Sequence, residues 1–233
     1  MEVGMSKIDL INGDNMDFMR GCSDNQFDLA IVDPPYGIDV ANMNIGAGKG
    51  KRCSKIENRK WSKSDWDSSV PSKDYFSELM RISERQIIWG GNYFELPISR
   101  HFAVWDKGEG MRGRSFAEGE YAWVSSGGTR IHKLSPVDKH RIHPTQKPVK
   151  LYKWLLTKYA KEGDTILDTH GGSMSSVIAC IDMQFDMVCL ELDKDYFNDA
   201  VTRIETHVGQ QDMFIPVPDI TITTKESAKK KSQ

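Results

Sequence analysis

The chain lacks the marks of a secreted, membrane-spanning or strongly basic protein. Its 233 residues include only four cysteines, Cys22, Cys53, Cys180 and Cys189, and none shares a C-x-x-C spacing. That argues against a zinc site or a disulfide framework and reads as reduced thiols in a cytoplasmic protein. No apolar run approaches the length of a membrane span, so no membrane partner is expected. The opening stretch, Met1-Glu2-Val3-Gly4-Met5-Ser6-Lys7, has no basic-then-apolar signal pattern, and Met5 stands as an alternative start. Net charge is only −2, which excludes a protein coated with positive charge. There is no internal repeat. There is also no G-x-G-x-x-G fingerprint, so a bound pyrophosphate is not expected. The length suits one large domain with a proper core, or at most two small ones.

Against that plain background one stretch stands out. The apolar run Leu29-Ala30-Ile31-Val32 leads straight into Asp33-Pro34-Pro35-Tyr36-Gly37. Each proline fixes φ and lacks an N–H, so a strand must stop there and its end becomes a rigid loop. The loop gathers a carboxylate, a free carbonyl and an aromatic face. A planar base with an amino group fits that set. Its ring can stack on Tyr36 while its amine donates to Asp33 and to the Pro34 carbonyl. The plain alternative is a strand-to-turn stop with a capping Asp.

Read in order, the chain alternates strands and helices. Ile8 to Asn12 is a short strand ending at Gly13-Asp14, and residues 15 to 23 suit a short helix. Phe27 to Val32 is a buried strand by its continuous apolar run. Residues 38 to 70 form a long loop with glycine and lysine at 46 to 50. Tyr75 to Ser83 reads as a helix and Gln86 to Trp89 as a strand stopping at Gly90-Gly91-Asn92. Trp89 is expected in the core, and Tyr93 beside the base pocket. Phe102 to Trp105 and Tyr121 to Val124 are further strands that could pair as a hairpin. A polar loop then runs to His143. Val149 to Lys161 is an amphipathic helix. Strand Thr165 to Leu167, helix Ser173 to Asp182, strand Met187 to Leu190 and helix Tyr196 to His207 follow. From Thr221 the chain reads as a disordered tail.

The fold class expected is therefore α/β, a doubly wound Rossmann-like sheet. Residues 1–220 form a single domain in this reading. Strand-end positions 14, 33, 91, 168 and 191 would share one edge, where open parallel sheets bind ligands. Asp168-Thr169-His170-Gly171-Gly172-Ser173 ends a strand and opens a helix. Glycine there permits close backbone approach to a ligand. Glu191 ends the next strand, and an acid there can take both hydroxyls of a ribose.

Taken together, the chain resembles the S-adenosylmethionine-dependent amino DNA methyltransferases in their permuted order, the β group. Three features carry the resemblance: Asp33 to Gly37, the hexapeptide His143-Pro144-Thr145-Gln146-Lys147-Pro148, and the strand-turn from Asp168. It spans roughly residues 8 to 208. The resemblance implies S-adenosyl-L-methionine as cofactor, double-stranded DNA as partner and no metal. Asp33, Pro34, Pro35 and Tyr36 would form the catalytic pocket. Asp168, Gly172 and Ser173 would line the methionine part of the cofactor, with His170 and Asp33 in the same site. Glu191 would hold the ribose and Asp14 the adenine edge. Gln146, Lys147 and Pro148 would close the site from the other side. Two departures stand out. Met174 replaces the second glycine of the usual Gly-x-Gly, and Asp168-Thr169-His170 replaces the common Asp-Pro-Phe.

The activity implied is methyl transfer to the exocyclic amine of a flipped-out base. Adenine N6 is favoured, because the acid-first motif goes mostly with adenine in the family and a Ser-first form with cytosine. The alternatives are an N4-cytosine enzyme and a catalytically impaired DNA-binding decoy. Between Ile38 and Trp66, seven bases face three acids. Lys49, Lys51, Arg52 and Lys55 there are expected to meet phosphates. So are Arg112, Arg114 and Arg130 in a short target-recognition region at about 107–142. The target site, a partner nuclease and the oligomeric state, a homodimer among the options, stay open.

Overall fold

The computed structural model describes residues 5–38, 67, 69–113, 117–136, 141–143, 145–210 and 216–224. Lys49, Lys51, Arg52, Lys55, Cys53 and Arg114 lie outside the described residues, as does Pro144 of the hexapeptide.

The elements in order are β1 (Lys7–Asn12), α1 (Asn15–Arg20), β2 (Phe27–Val32), α2 (Lys73–Ile82), β3 (Ser83–Trp89), β4 (His101–Asp106), β5 (Gly119–Val124) and β6 (Arg130–Lys133). The second half holds α3 (Val149–Tyr159), β7 (Thr165–Asp168), α4 (Ser175–Met183), β8 (Asp186–Glu191), α5 (Lys194–Gly209) and β9 (Asp219–Thr224). The strands form one nine-stranded sheet in the order β6-β4-β5-β3-β2-β7-β8-β1-β9. Strands β3, β2, β7, β8, β1 and β9 run parallel, and β5 is antiparallel to its neighbours β3 and β4. The doubly wound α/β reading holds, and Asp14, Asp33, Asp168 and Glu191 follow or end parallel strands at one edge.

Alternation along the strands explains the two layers of core. In β3, Ile87 and Trp89 pack into one apolar cluster with Leu151 and Leu155 of α3, Val177 and Ile181 of α4 and Phe197 of α5. Ile88, between them, packs into the other cluster with Met19 of α1 and Phe76 and Leu79 of α2. Successive side chains of a strand point to opposite faces, so the end of β3 that is covered on both, Ile87-Ile88-Trp89, is apolar at every position. Cys22, Cys180 and Cys189 are buried free thiols. Among the described residues, no helix is long and apolar enough to cross a membrane.

Two expectations need correction. The tail does not begin at Thr221: Asp219–Thr224 is a strand in parallel register with β1, Lys7 facing Asp219 and Asn12 facing Thr224. Its alternating Ile and Thr have the β-branched shape that suits a strand. The polar stretch after Val124 is not all loop, because Arg130–Lys133 pairs in parallel with β4.

Candidate active site

The loop after β2 is held tightly. Tyr36 and Gly37 donate their backbone N–H groups to Asp67 Oδ1, at 2.7 and 3.0 Å. The Tyr36 hydroxyl donates to Asp33 Oδ1 at 2.6 Å. The Tyr36 ring stacks on Tyr93, with centroids 5.0 Å apart and planes 12° apart. Gly90 makes this packing feasible. It has φ +68°, and a Cβ there would fall 2.3 Å from the Tyr36 ring. Tyr93, which is 44% exposed, is the outer ring of the pair. Trp89 is fully buried, as expected for a core residue.

Lys147 is less simply a cofactor contact than its motif implies. Its Nζ lies 2.5 Å from Asp33 Oδ2, 3.3 Å from the Tyr36 hydroxyl and 3.3 Å from Glu120 Oε2. Glu120 Oε1 in turn lies 2.5 Å from Lys107 Nζ. Two acids and two bases thus form a charge-balanced group, with the Lys147 side chain 4% exposed. Burial alone would lower the Lys147 pKa, but Asp33 and Glu120 outweigh it and raise it. Burial likewise works to raise Glu120, yet Lys147 and Lys107 hold its carboxyl below the usual range. Glu120 went unnoticed in the sequence, although a signal exists. It shares strand parity with buried Ala122 and Val124, so it points toward the core side of β5.

The rest of the hexapeptide shapes its own turn. Gln146 is buried, its Oε1 accepts from the Ile142 N–H at 3.0 Å, and its N–H donates to the His143 carbonyl. Pro148 is the N-cap residue of α3. Burial, then the nearby Lys147 charge, pushes His143 down to about 4.

At the neighbouring strand ends, Glu191 accepts from the Gly172 N–H at 2.7 Å and the Asp193 N–H at 2.8 Å. Burial raises its pKa against those bonds. Asp168 accepts from the Ser176 hydroxyl at 2.7 Å and from the His170 N–H at 3.0 Å, and burial lifts it to about 7. Gly172 has φ +50°, a backbone conformation that favours glycine, and a Cβ there would meet the His143 ring at 3.8 Å, an ordinary contact. Ser173 turns inward instead, its hydroxyl paired with that of Ser175 and its carbonyl accepting from Arg203. Met174 is fully buried and belongs to the core. Asp14 is the N-cap residue of α1, accepting from the Met16 and Asp17 N–H groups. An open cleft of about 200 Å³ lies beside these ends, lined by Asn15, Pro35, Val70, Tyr75 and His170 among others.

His170 is wired into that wall. Its ring contacts Asn15 Nδ2 at 3.1 Å, the Thr169 hydroxyl at 3.0 Å and the Tyr75 hydroxyl at 3.4 Å. Burial pushes its pKa from 6.5 to about 4, against a weaker upward pull from Asp14. A folded pKa below the unfolded one means the unfolded chain takes up the proton first as pH falls. The neutral imidazole's contribution is intact above pH about 6.5 and drains away toward about 4. His170→Phe should therefore narrow the stability difference between pH 7 and pH 5 by about 2 kcal/mol. Urea unfolding at the two pH values measures it, and an unchanged difference would mean that His170 does not resist protonation.

The expected DNA contacts divide. Arg112 and Lys133 both pair with Glu109, at 2.9 and 3.1 Å, beside the ends of β4 and β6 on the edge that carries Asp33. Arg130 opens β6 opposite Ala103, three residues back from that edge, so it sits away from the site.

The DNA methylase family profile, which spans N6 and N4 methyltransferases, matches residues 87–202. That stretch includes Glu120, Lys147, the glycine turn and Glu191, and begins downstream of Asp33. The type II methyltransferase M.HpaI of Haemophilus parainfluenzae is 31% identical over 64 residues, covering 28% of this chain and 20% of that protein. The chain thus aligns with only a fifth of that relative's length. Among solved structures, the M1.HpyAVI–SAM complex superposes with a TM-score of 0.55 at 17% identity, over 84% of this chain and 99% of that one. TTHA0409 of Thermus thermophilus, complexed with S-adenosyl-L-methionine, gives 0.54 at 14% identity, over 94% and 98%. The PvuII DNA methyltransferase, described as cytosine-N4-specific, gives 0.53 at 11%, over 91% and 89%. These structures share the fold, and residues 87–202 match the DNA methylase family model.

Proposed function

We propose that this chain transfers a methyl group from S-adenosylmethionine to the N6 amine of adenine in double-stranded DNA. The observation that carries the reading is the position of Asp33-Pro34-Pro35-Tyr36. It follows β2 on the edge that also bears Asp168, Gly172 and Glu191. We read the order, catalytic strand before cofactor strands, as the permuted arrangement of the family.

The residues present fit the cofactor. Glu191 offers a strand-end carboxylate for ribose hydroxyls, and Gly172 supplies the left-handed backbone that turns the chain beside it. Asp168 would lie by the methionine part. Bound S-adenosylmethionine supplies an electrophilic sulfonium methyl group.

The chain's own work is orientation. The adenine amine is a weak nucleophile because its lone pair is delocalised into the ring. Asp33 and the Pro34 carbonyl accept its two hydrogens and favour a more tetrahedral nitrogen, leaving the lone pair free to point at the methyl group. Such alignment and electrostatic support supply most of the rate in reactions of this kind. The nitrogen sheds a proton once it has gained the methyl group, and the Asp33 carboxylate is a basic group that can take it. The base must leave the duplex to reach the loop. There it can stack against Tyr93, the exposed member of the aromatic pair.

The similarity to PvuII favours a second reading, N4 of cytosine, whose amine could satisfy the same two acceptors. Expression in a methylation-free host followed by nucleoside analysis of the DNA decides. N6-methyladenine supports the proposal, N4-methylcytosine replaces it with the second reading, and neither would indicate a DNA-binding decoy. The cofactor assignment has its own test. Glu191→Ala should weaken S-adenosylmethionine binding by about 1–3 kcal/mol, the scale of a lost charged acceptor. Calorimetry measures this, and unchanged affinity in a folded variant would remove Glu191 from the site.

A further inference from the structure

Both oxygens of Asp33 are already engaged. Oδ1 accepts from the Tyr36 hydroxyl at 2.6 Å, and Oδ2 faces the Lys147 ammonium at 2.5 Å. An amine that arrives to donate to Asp33 meets a carboxylate whose strongest position is taken by a cation. Lys147 cannot simply withdraw, because a buried ammonium without a counter-charge is strongly disfavoured.

A second acceptor lies within reach. Glu120 Oε2 is 3.3 Å from the same Nζ, a looser contact than the 2.5 Å pair with Asp33. Lys107 grips the other oxygen of Glu120 at 2.5 Å and fixes the carboxylate in place. Glu120 sits on β5 and Lys107 just beyond β4, a paired hairpin rather than a loose loop. The Nζ also lies 5.2 Å from the Trp89 ring centroid, an aromatic floor for a cation shifting between two acids.

We propose that Glu120, anchored by Lys107, is a positioning residue that receives the Lys147 ammonium as the target amine takes its place on Asp33. The move keeps two acids and two bases together, so the group stays neutral throughout. It also returns Asp33 to full strength as an acceptor at the moment the amine needs it. This rests on the methyltransferase reading above.

The test uses the full chain and a duplex bearing its own methylation site, identified by sequencing modified host DNA. Glu120→Gln should slow single-turnover methyl transfer about tenfold while DNA and cofactor dissociation constants stay within about twofold. In a Lys147→Met background the same substitution should change the rate less than about twofold, because no cation remains to be received. Lys107→Met, which removes the anchor of Glu120, should also slow transfer, and it serves if Glu120→Gln does not fold. A Glu120→Gln defect that persists undiminished with Lys147→Met, or that appears as weaker DNA or cofactor binding, overturns the inference. So does unchanged or faster transfer in Lys107→Met. If the unaltered chain methylates no DNA, the functional reading falls and the inference with it. If it methylates normally and Glu120→Gln does too, only the inference falls.

Discussion

Asp33→Ala should slow methyl transfer at least about a hundredfold, the scale seen when one oriented polar group is removed from a reacting centre. The substitution takes away an acceptor for the amine, and it also disturbs a buried charge group. Lys147 would keep Glu120 as its counter-charge. The stability loss should therefore stay below the roughly 3–5 kcal/mol typical of a buried pair broken outright. Asp33→Asn makes a useful companion. It retains an oxygen for the Tyr36 hydroxyl but removes the charge, so its rate separates shape from electrostatics. DNA binding should survive both changes, since phosphate contacts dominate affinity. Single-turnover methylation with tritiated cofactor, alongside thermal melts, reads all of this. An Asp33→Ala enzyme with near-normal turnover would remove Asp33 from the chemistry.

Met174→Gly should destabilise the fold by about 1–4 kcal/mol. Two effects oppose each other. Met174 has φ 52° and ψ 38°, a left-handed conformation that glycine adopts more readily, worth about 1 kcal/mol in favour of the variant. Against it stands the loss of a fully buried side chain, about 2–5 kcal/mol for truncation of a large core residue. The packing is close: the Met174 Cγ would lie 3.2 Å from a Cβ placed on Gly171. Burial therefore wins over strain. Cofactor affinity of the folded variant should be unchanged, because the side chain enters the core. Urea unfolding and calorimetry check the two halves. Tighter cofactor binding with unaltered stability would mean that Met174 obstructs the site instead.

These expectations mark the reach of the sequence. The stop after Val32, the amphipathic α3 and the acids closing β7 and β8 were legible because apolar runs and prolines act locally. The short edge strands were not. Arg130–Lys133 has one neighbour, β4, and its Ile131 is 72% exposed, so burial leaves no pattern in it. Asp219–Thr224 does alternate, but its position near a charged terminal stretch concealed it. Lys147 showed the limit of a motif. The hexapeptide stands out in the sequence, yet only the fold reveals that its lysine reaches Asp33. Glu120 could have been found from strand parity alone, because an acid in step with Ala122 and Val124 needs a buried partner.

The ion pair between Asp33 and Lys147 joins residues 114 positions apart in the chain. Between them the chain must complete β3, β4, β5 and β6 before Lys147 can arrive beside Asp33 and Glu120. The charge group around Lys147 is thus a property of the assembled sheet and of no shorter piece. A nascent chain emerging as far as β6 carries Asp33 without the ammonium that pairs with it. Contacts of such long range form late, after much loop-closure entropy has been lost. Asp33 therefore stays an unbalanced acid until the segment ahead of α3 has docked.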